Sequence, residues 1–323
     1  MTDASPVASG ILGLHHVTLV ASNAQRTADF YTRVLGLRLV KTTVNFDDPG
    51  SYHLYYGDEH GTPGTVMTFF AWGVGHAGRV GPPQVTTTAF AIPVESIQFW
   101  RERFAQHGVV YGEPVTRFGE SVLSFTDPDG MPLELIGVTQ PYGANWSDGP
   151  VPLQNQIRGF HGVTISVEGY EHTAKVLTDI LGFHADEHDG NRFRYKAHRH
   201  DTFAGSVDLL CVPGARSGTM GTGVVHHIAF RTPNDEEQLA LRKTIVDRGF
   251  NISPVIDRQY FHSLYFREPG GVLFEIATDH PGFTFDEPLE SLGTGLMLPD
   301  KYESSRANIE RLLPGLRMPG KMA

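Results

Sequence analysis

Sixteen histidines in 323 residues are the first feature of this chain that asks for a chemical reading. Two of them form the tandem pair His15-His16, two more form His226-His227, and a fifth, His161, stands in a similar context. All five lie beside apolar, β-branched residues in short strand-like runs, not in exposed tracts, so they are candidates for a buried site. Two carboxylates, Glu134 and Glu275, occupy matching positions of another repeated run. Neutral imidazoles and a carboxylate that converge from separate strands are ligands for a divalent metal ion. Side chains alternate across a strand, so one histidine of each tandem pair is expected to point inward while its neighbour faces the other way.

The elements that must position these residues come in copies. Leu14-His15-His16-Val17-Thr18 is echoed by Phe160-His161-Gly162-Val163-Thr164 at an offset of 146 and by Val225-His226-His227-Ile228-Ala229. The same offset, without a gap, carries the amphipathic stretch from Thr27 to Gly36 onto that from Thr173 to Gly182, as expected of helices stopped by a glycine. At an offset of 141, the strand–turn–strand pattern Leu123 to Leu135 matches Leu264 to Ile276. The chain therefore divides into four units, about 11–72, 85–138, 157–212 and 223–278, each reading strand, helix and three strands. Gly/Pro-rich joints at Gly73 to Pro83 and Tyr142 to Pro152 separate them, and residues 281–323 form a tail with one helix expected near Glu303 to Leu313.

This α+β pattern of four βαβββ modules resembles the vicinal oxygen chelate superfamily, whose modules pair into open β-barrels around a divalent ion. The segments HHVT, VLGLRLVKTTVNFDDPGSYHLYYG, VVHHIAFRT, DRQYFHSLYFREPGG and LFEIATD resemble one branch more closely, the ring-cleaving dioxygenases that act on hydroquinones. The resemblance implies two barrels. In linear terms it also implies an N-terminal domain at 1–140, a C-terminal domain at 153–280 and the tail.

Within that family the ligands lie on the first and last strands of modules, and two pairings compete. If modules 3 and 4 share a barrel, the triad is His161, His227 and Glu275; if modules 1 and 4 do, it is His16, His227 and Glu275. The offset of 146 places His15 on His161 and His16 on Gly162, and a one-residue slip reverses the face, so His161 cannot be in phase with His16 and His227. The converse set, with His15, His161 and His226 inward, stays open on the residues alone. The resemblance puts the second histidine of each tandem on the metal. Two imidazoles and one carboxylate leave positions open for substrate and O2, the arrangement of non-haem Fe(II) oxygenases, with Mn(II) as the alternative ion. By the same resemblance His226 is the acid/base histidine, Tyr265 and Arg258 contact the substrate and its developing charge, and His15 and Thr18 orient the first ligand. Glu134 is then a relic or a solvated residue and His161 a structural histidine, while His53, His76, His262 and the group His184 to His200 are expected on the surface.

The expected partners are a small aromatic substrate and O2, with a homo-oligomer admitted. A net charge of −10, from 26 Lys plus Arg against 36 Asp plus Glu and without a dense basic block, argues against nucleic acid. No run approaches the roughly 18 apolar residues of a membrane helix, and Met1 to Gly10 lacks the features of a secretory leader. With the single cysteine Cys211 excluding an internal disulfide, a cytoplasmic setting is expected. Gly73 to Gly78 fits G-x-G-x-x-G, but Gly81-Pro82-Pro83 denies it the helix that would receive a pyrophosphate, so it reads as a linker. The rival functions are an extradiol catechol dioxygenase, a metal-free binding protein of the same fold and a metal-dependent isomerase or lyase.

Overall fold

The computed structural model describes residues 11–73, 75–140, 145–197 and 204–317. Module 1 comprises β1 (Leu14–Ala21), α1 (Ala24–Asp29, prolonged by a π-helical turn at Phe30–Val34), β2 (Arg38–Asn45), β3 (Asp48–Gly57) and β4 (Val66–Ala71). Module 2 comprises β5 (Gln84–Pro93), α2 (Ile97–Gln106), β6 (Val115–Arg117), β7 (Glu120–Thr126) and β8 (Pro132–Val138). Module 3 runs through β9 (Phe160–Val167), α3 (Glu171–Asp179), β10 (Phe183–Asp189), β11 (Arg192–Ala197) and β12 (Ser206–Cys211). Module 4 runs through β13 (Val225–Thr232), α4 (Asp235–Asp247), β14 (Ile256–Asp257), β15 (Phe261–Arg267) and β16 (Leu273–Pro281). The helix starts carry the expected chemistry: Asn23 accepts from the Arg26 amide and Asn234 from the Glu237 amide, with three acidic residues in the first turn of α4. Gly36, which follows the first helix, has φ +74°, and a Cβ there would lie 2.6 Å from Val151, so glycine is needed for both conformation and space.

The strands form two curled eight-stranded sheets whose composition crosses the linear order. One sheet runs β14-β15-β16-β13-β1-β4-β3-β2 and joins modules 4 and 1; the other runs β10-β11-β12-β9-β5-β8-β7-β6 and joins modules 3 and 2. Segments 1–140 and 153–280 thus each contribute one module to each sheet. The seams are the antiparallel pairs β1/β13 and β5/β9. Large side chains such as Trp100, Tyr31, Phe90, Phe160 and Phe230 are fully buried in a core that both sheets share.

The tail forms a helix within the expected 303–313 and adds a further short one before it. The two, α5 (Asp300–Glu303) and α6 (Arg306–Leu312), are separated at Ser304-Ser305, where serine competes for backbone hydrogen bonds and favours a break. Before them the chain runs beside β2, the edge of the first sheet: the Met297 amide donates to the Thr42 carbonyl at 2.9 Å, which covers an otherwise open edge. Lys41 of β2, with no exposed surface, places its Nζ 2.5 Å from both Asp286 and Glu287 of the tail. The Gly73 to Pro83 joint has no helix among its described residues; Val74 and residues 141–144 of the second joint lie outside them. Among the described residues no helix is long and apolar enough to cross a membrane.

Candidate metal centre

The register of the first sheet brings distant residues into one row. Ala229 of β13 lies opposite Glu275 on β16 and opposite His16 on β1, and Tyr265 of β15 lies opposite Glu275 on its other side. Directly paired residues face the same way, so Tyr265, Glu275 and His16 share a face, and the small side chain of Ala229 leaves room for the carboxylate and imidazole to meet across it. In the next row His227 lies opposite Thr18, and Thr18 opposite Thr68.

The seam between β1 and β13 contains two β-bulges. Register passes from Leu14/Phe230 to His16/Ala229 and from Thr18/His227 to Leu19/Val225, so His15 and His226 are the extra, unpaired residues. This corrects the expectation that the first histidine of each tandem turns away from its neighbour: strict alternation fails at a bulge. His15 Nδ1 lies 2.9 Å from His16 Nδ1, and His226 Nδ1 lies 2.7 Å from His227 Nδ1. His15 Nε2 is also 3.1 Å from the Thr278 carbonyl.

The Nε2 atoms of the paired histidines converge on one oxygen. His227 Nε2 is 2.9 Å and His16 Nε2 3.3 Å from Glu275 Oε2, and one ligand atom from each residue falls within 4.8 Å of the others. Among the described residues this is the one such group of histidine, cysteine or acidic side chains. Glu275 has no exposed surface; its Oε1 accepts from Ser263 Oγ at 2.5 Å, whereas its buried Oε2 has no hydrogen bond of proper geometry. A buried carboxylate oxygen left without a donor is costly, and a cation between it and the two Nε2 lone pairs would satisfy all three. Burial works to raise the Glu275 carboxyl, but His16 and then His227 overrule it and hold it well below the usual carboxylate range.

The centre forms the floor of a cavity of about 320 Å³. Phe70 and Trp72 stack along one wall with rings 4° from parallel, and the His226 ring stands edge-on to both at 5.4 and 6.2 Å. Phe261 packs on His15 and His16, each at 5.0 Å. Tyr265 and Arg258 line the opposite side, with Arg258 Nε donating to Tyr265 Oη at 3.2 Å and Arg258 Nη1 3.1 Å from Asp47. Burial, then Glu275, raises the Tyr265 phenol despite Arg258, and burial, then His227, pushes His226 down to about 3.

Of the predicted residues, His16, His226, His227, Arg258 and Tyr265 line one cavity, and His15 and Glu275 are in contact with His16. Thr18 sits elsewhere in the network: its hydroxyl bonds Thr68 at 2.9 Å and has no bond to His16. Expectation fails at His53, which is a cavity residue and not a surface one: Thr68 Oγ1 bonds its Nε2 and Tyr55 Oη its Nδ1, both at 2.9 Å, and burial holds it well below the usual histidine value. His53, Tyr55, Phe70 and Trp72 have no counterpart among the matched histidines, and only the resemblance of the YHLYYG segment pointed toward two of them. His262 pairs with Asp235 at 2.6 Å, His76 is exposed, and His184 and His188 lie on β10; His198 and His200 fall outside the described residues. His161 belongs to the other sheet, 2.8 Å from Glu120, and Glu134 is not solvated but buried against Arg117.

A family model described as the glyoxalase/bleomycin resistance protein/dioxygenase superfamily matches residues 13–135 and 159–276. The chain belongs to that superfamily. Within it, the chain groups with the ring-cleaving dioxygenases: it is 43% identical, over 95% of its own length and 98% of the relative's, to MhqO of Bacillus subtilis, provisionally named a ring-cleaving dioxygenase. It is 34% identical, over 93% of its length and 95% of the relative's, to the chlorohydroquinone/hydroquinone 1,2-dioxygenase of Sphingobium indicum. A crystal structure of a provisionally named dioxygenase from Bacillus subtilis superposes with a TM-score of 0.92 at 42% identity, covering 97% of this chain and 99% of that one.

Proposed function

We propose that this member of the superfamily is a cytoplasmic, non-haem Fe(II)-dependent dioxygenase that opens para-dihydroxylated, hydroquinone-type rings with O2. The observation that carries the proposal is the convergence of His16 Nε2, His227 Nε2 and the unpartnered Glu275 Oε2 beneath an aromatic-walled cavity. These three side chains would hold the ion, Mn(II) being the alternative to Fe(II). When bound, such an ion supplies one-electron exchange between an aromatic substrate and O2 at the positions the three protein ligands leave open.

The chain's own residues then have definable tasks. With His15 Nε2–H donating to the Thr278 carbonyl, His15 Nδ1 is free to accept from His16 Nδ1–H, which leaves the His16 Nε2 lone pair facing the site. The same logic on β13 has His227 Nδ1–H donating to His226 Nδ1, so His226 carries its proton on Nε2. Held neutral by burial, His226 presents Nε2–H as a hydrogen-bond donor to an oxygen it faces, and that proton moves only as a substrate hydroxyl proton replaces it, so the ring stays neutral. Tyr265 and Arg258 hold the second oxygen of the ring, and the Phe70/Trp72 wall orients the ring and excludes water.

Anaerobic loading with Fe(II), followed by oxygen-uptake screening over hydroquinones and catechols, tests this reading. Uptake with hydroquinone and a ring-opened product are expected. Uptake with catechols alone would make the protein an extradiol enzyme, and turnover without uptake would make it an isomerase or lyase.

A further inference from the structure

Arg258 and Arg117 occupy the same register position in their two sheets. Ile256 pairs with Ser263 and Asp257 with His262, as Val115 pairs with Val122 and Thr116 with Ser121, all at the offset of 141. The carboxylates Glu275 and Glu134 correspond as well, each lying opposite an alanine, Ala229 or Ala89, on the neighbouring strand. The two arginines nevertheless do opposite things. Arg117 closes on Glu134 with two hydrogen bonds of 2.7 and 2.9 Å, whereas Arg258 stays at the cavity mouth on Tyr265 and Asp47. An arginine at this position therefore reaches the carboxylate unless something restrains it, and a guanidinium on Glu275 would take the oxygens an ion needs.

The restraint comes from two aspartates without a counterpart in the second sheet, one in the β2–β3 turn, where the offset of 146 puts Phe193, and one in the tail. Asp47 lies in the turn between β2 and β3 and takes Arg258 Nη1 directly. Asp286 of the tail grips the two residues that follow Arg258: it accepts from Gln259 Nε2 at 2.7 Å and from Tyr260 Oη at 2.9 Å, while Lys41 anchors it at 2.5 Å. Gln259 has φ +70° and its counterpart Phe118 has φ +47°, so both hairpins place a left-handed residue directly after the arginine and that turn alone does not separate the two sheets. What differs is the anchoring of the turn: Asp286 holds the Gln259 side chain and Asp257 Oδ1 accepts from the Gln259 amide at 2.7 Å. The tail also fixes Asp47's neighbour, since Tyr302 Oη donates to the Phe46 carbonyl at 2.7 Å.

We infer that Asp47 and Asp286 are positioning residues that hold Arg258 off Glu275 and so keep the metal centre open. The inference rests on the assignment of His16, His227 and Glu275 as ligands. Its test is the affinity of the metal-free protein for Mn(II), read as free Mn(II) by electron paramagnetic resonance and independent of turnover. Asp47→Asn and Asp286→Asn are each expected to weaken binding about tenfold, the scale of one charge-assisted hydrogen bond. Adding Arg258→Gln to either should restore wild-type affinity, which a merely structural defect would not allow. Asp47 is exposed, so its variant stays informative if Asp286→Asn folds poorly. Unchanged affinity in Asp47→Asn, or a loss that Arg258→Gln leaves in place, overturns the clasp. Glu275→Gln is the control: unchanged affinity there overturns the ligand assignment itself.

Discussion

The two sheets are built from the same modules at the same register, yet one brings together a candidate metal triad and the other an ion-pair network. Gly162 stands opposite Ala89 where His16 stands opposite Ala229, and Thr87 opposite Thr164 where His227 stands opposite Thr18. A Cβ on Gly162 would lie 2.2 Å from the Ser206 carbonyl oxygen, so the second sheet has no room for a ligand at that position. Its remaining carboxylate, Glu134, is neutralised by Arg117, and around it Arg194 links Glu120 to Asp208 while Glu120 takes His161. A buried carboxylate must be compensated by hydrogen-bond donors or by a cation; at this position one sheet supplies a guanidinium, and the other sets two imidazoles around the carboxylate.

The largest effect that could break this contrast is expected from the histidines. His16→Ala should lose bound iron and, with it, essentially all oxygen uptake, whereas His161→Ala should keep both, as judged by metal analysis and uptake with folding checked by thermal melts. The reverse result would move the centre to the second sheet. A smaller loss, on the order of 10² to 10⁴ in kcat, is expected for His226→Ala with iron content unchanged, the usual range for removing a positioned acid or base. Iron falling in proportion to rate would make His226 a ligand and invert the phase of both tandems.

Stability should show the contrast on a smaller scale. Gly162→Ala is expected to cost about 1–3 kcal/mol in denaturant unfolding, the range for forcing a methyl group into packed structure, without touching metal content. The pH dependence of the metal-free protein separates the sheets as well, spread over several histidines. Burial lowers His15, His53, His226 and His227, so below the unfolded value of about 6.5 the unfolded chain takes up protons that the folded one refuses. Stability is therefore full above that pH and declines as pH falls, by at most about 1.4 kcal/mol per pH unit for each such histidine. In the second sheet burial works to raise Glu120, but His161 and then Arg194 hold it at about 2, so its contribution is lost only below the carboxylate range. The melting temperature should drop between pH 7 and pH 5, and His53→Gln should flatten that slope; an unaltered slope would mean His53 takes up its proton as readily in the folded as in the unfolded chain.

Much of this was legible in the chain because the repeat carries it. Offsets of 146 and 141 located all four modules, and the phase difference between His161 and His16, taken with the family resemblance, favoured the pairing of modules 1 and 4. Local pattern could not show the bulges at His15 and His226, since one extra residue in a strand leaves the apolar alternation around it nearly intact. His53 was missed because its place depends on β3 pairing with β4, and Arg117 because nothing in its neighbourhood reveals that it bends onto Glu134. The tail's grip on Gln259 and Tyr260 joins residues far apart in sequence through side chains with no repeating pattern.

The central claim is that one of two equivalent carboxylates holds a metal ion and the other does not. Iron per chain after anaerobic reconstitution, measured in the wild type, Glu275→Gln and Glu134→Gln, tests it most directly. One equivalent in the wild type and in Glu134→Gln, with a large loss in Glu275→Gln, is the predicted result; two equivalents in the wild type, or a loss confined to Glu134→Gln, would contradict it.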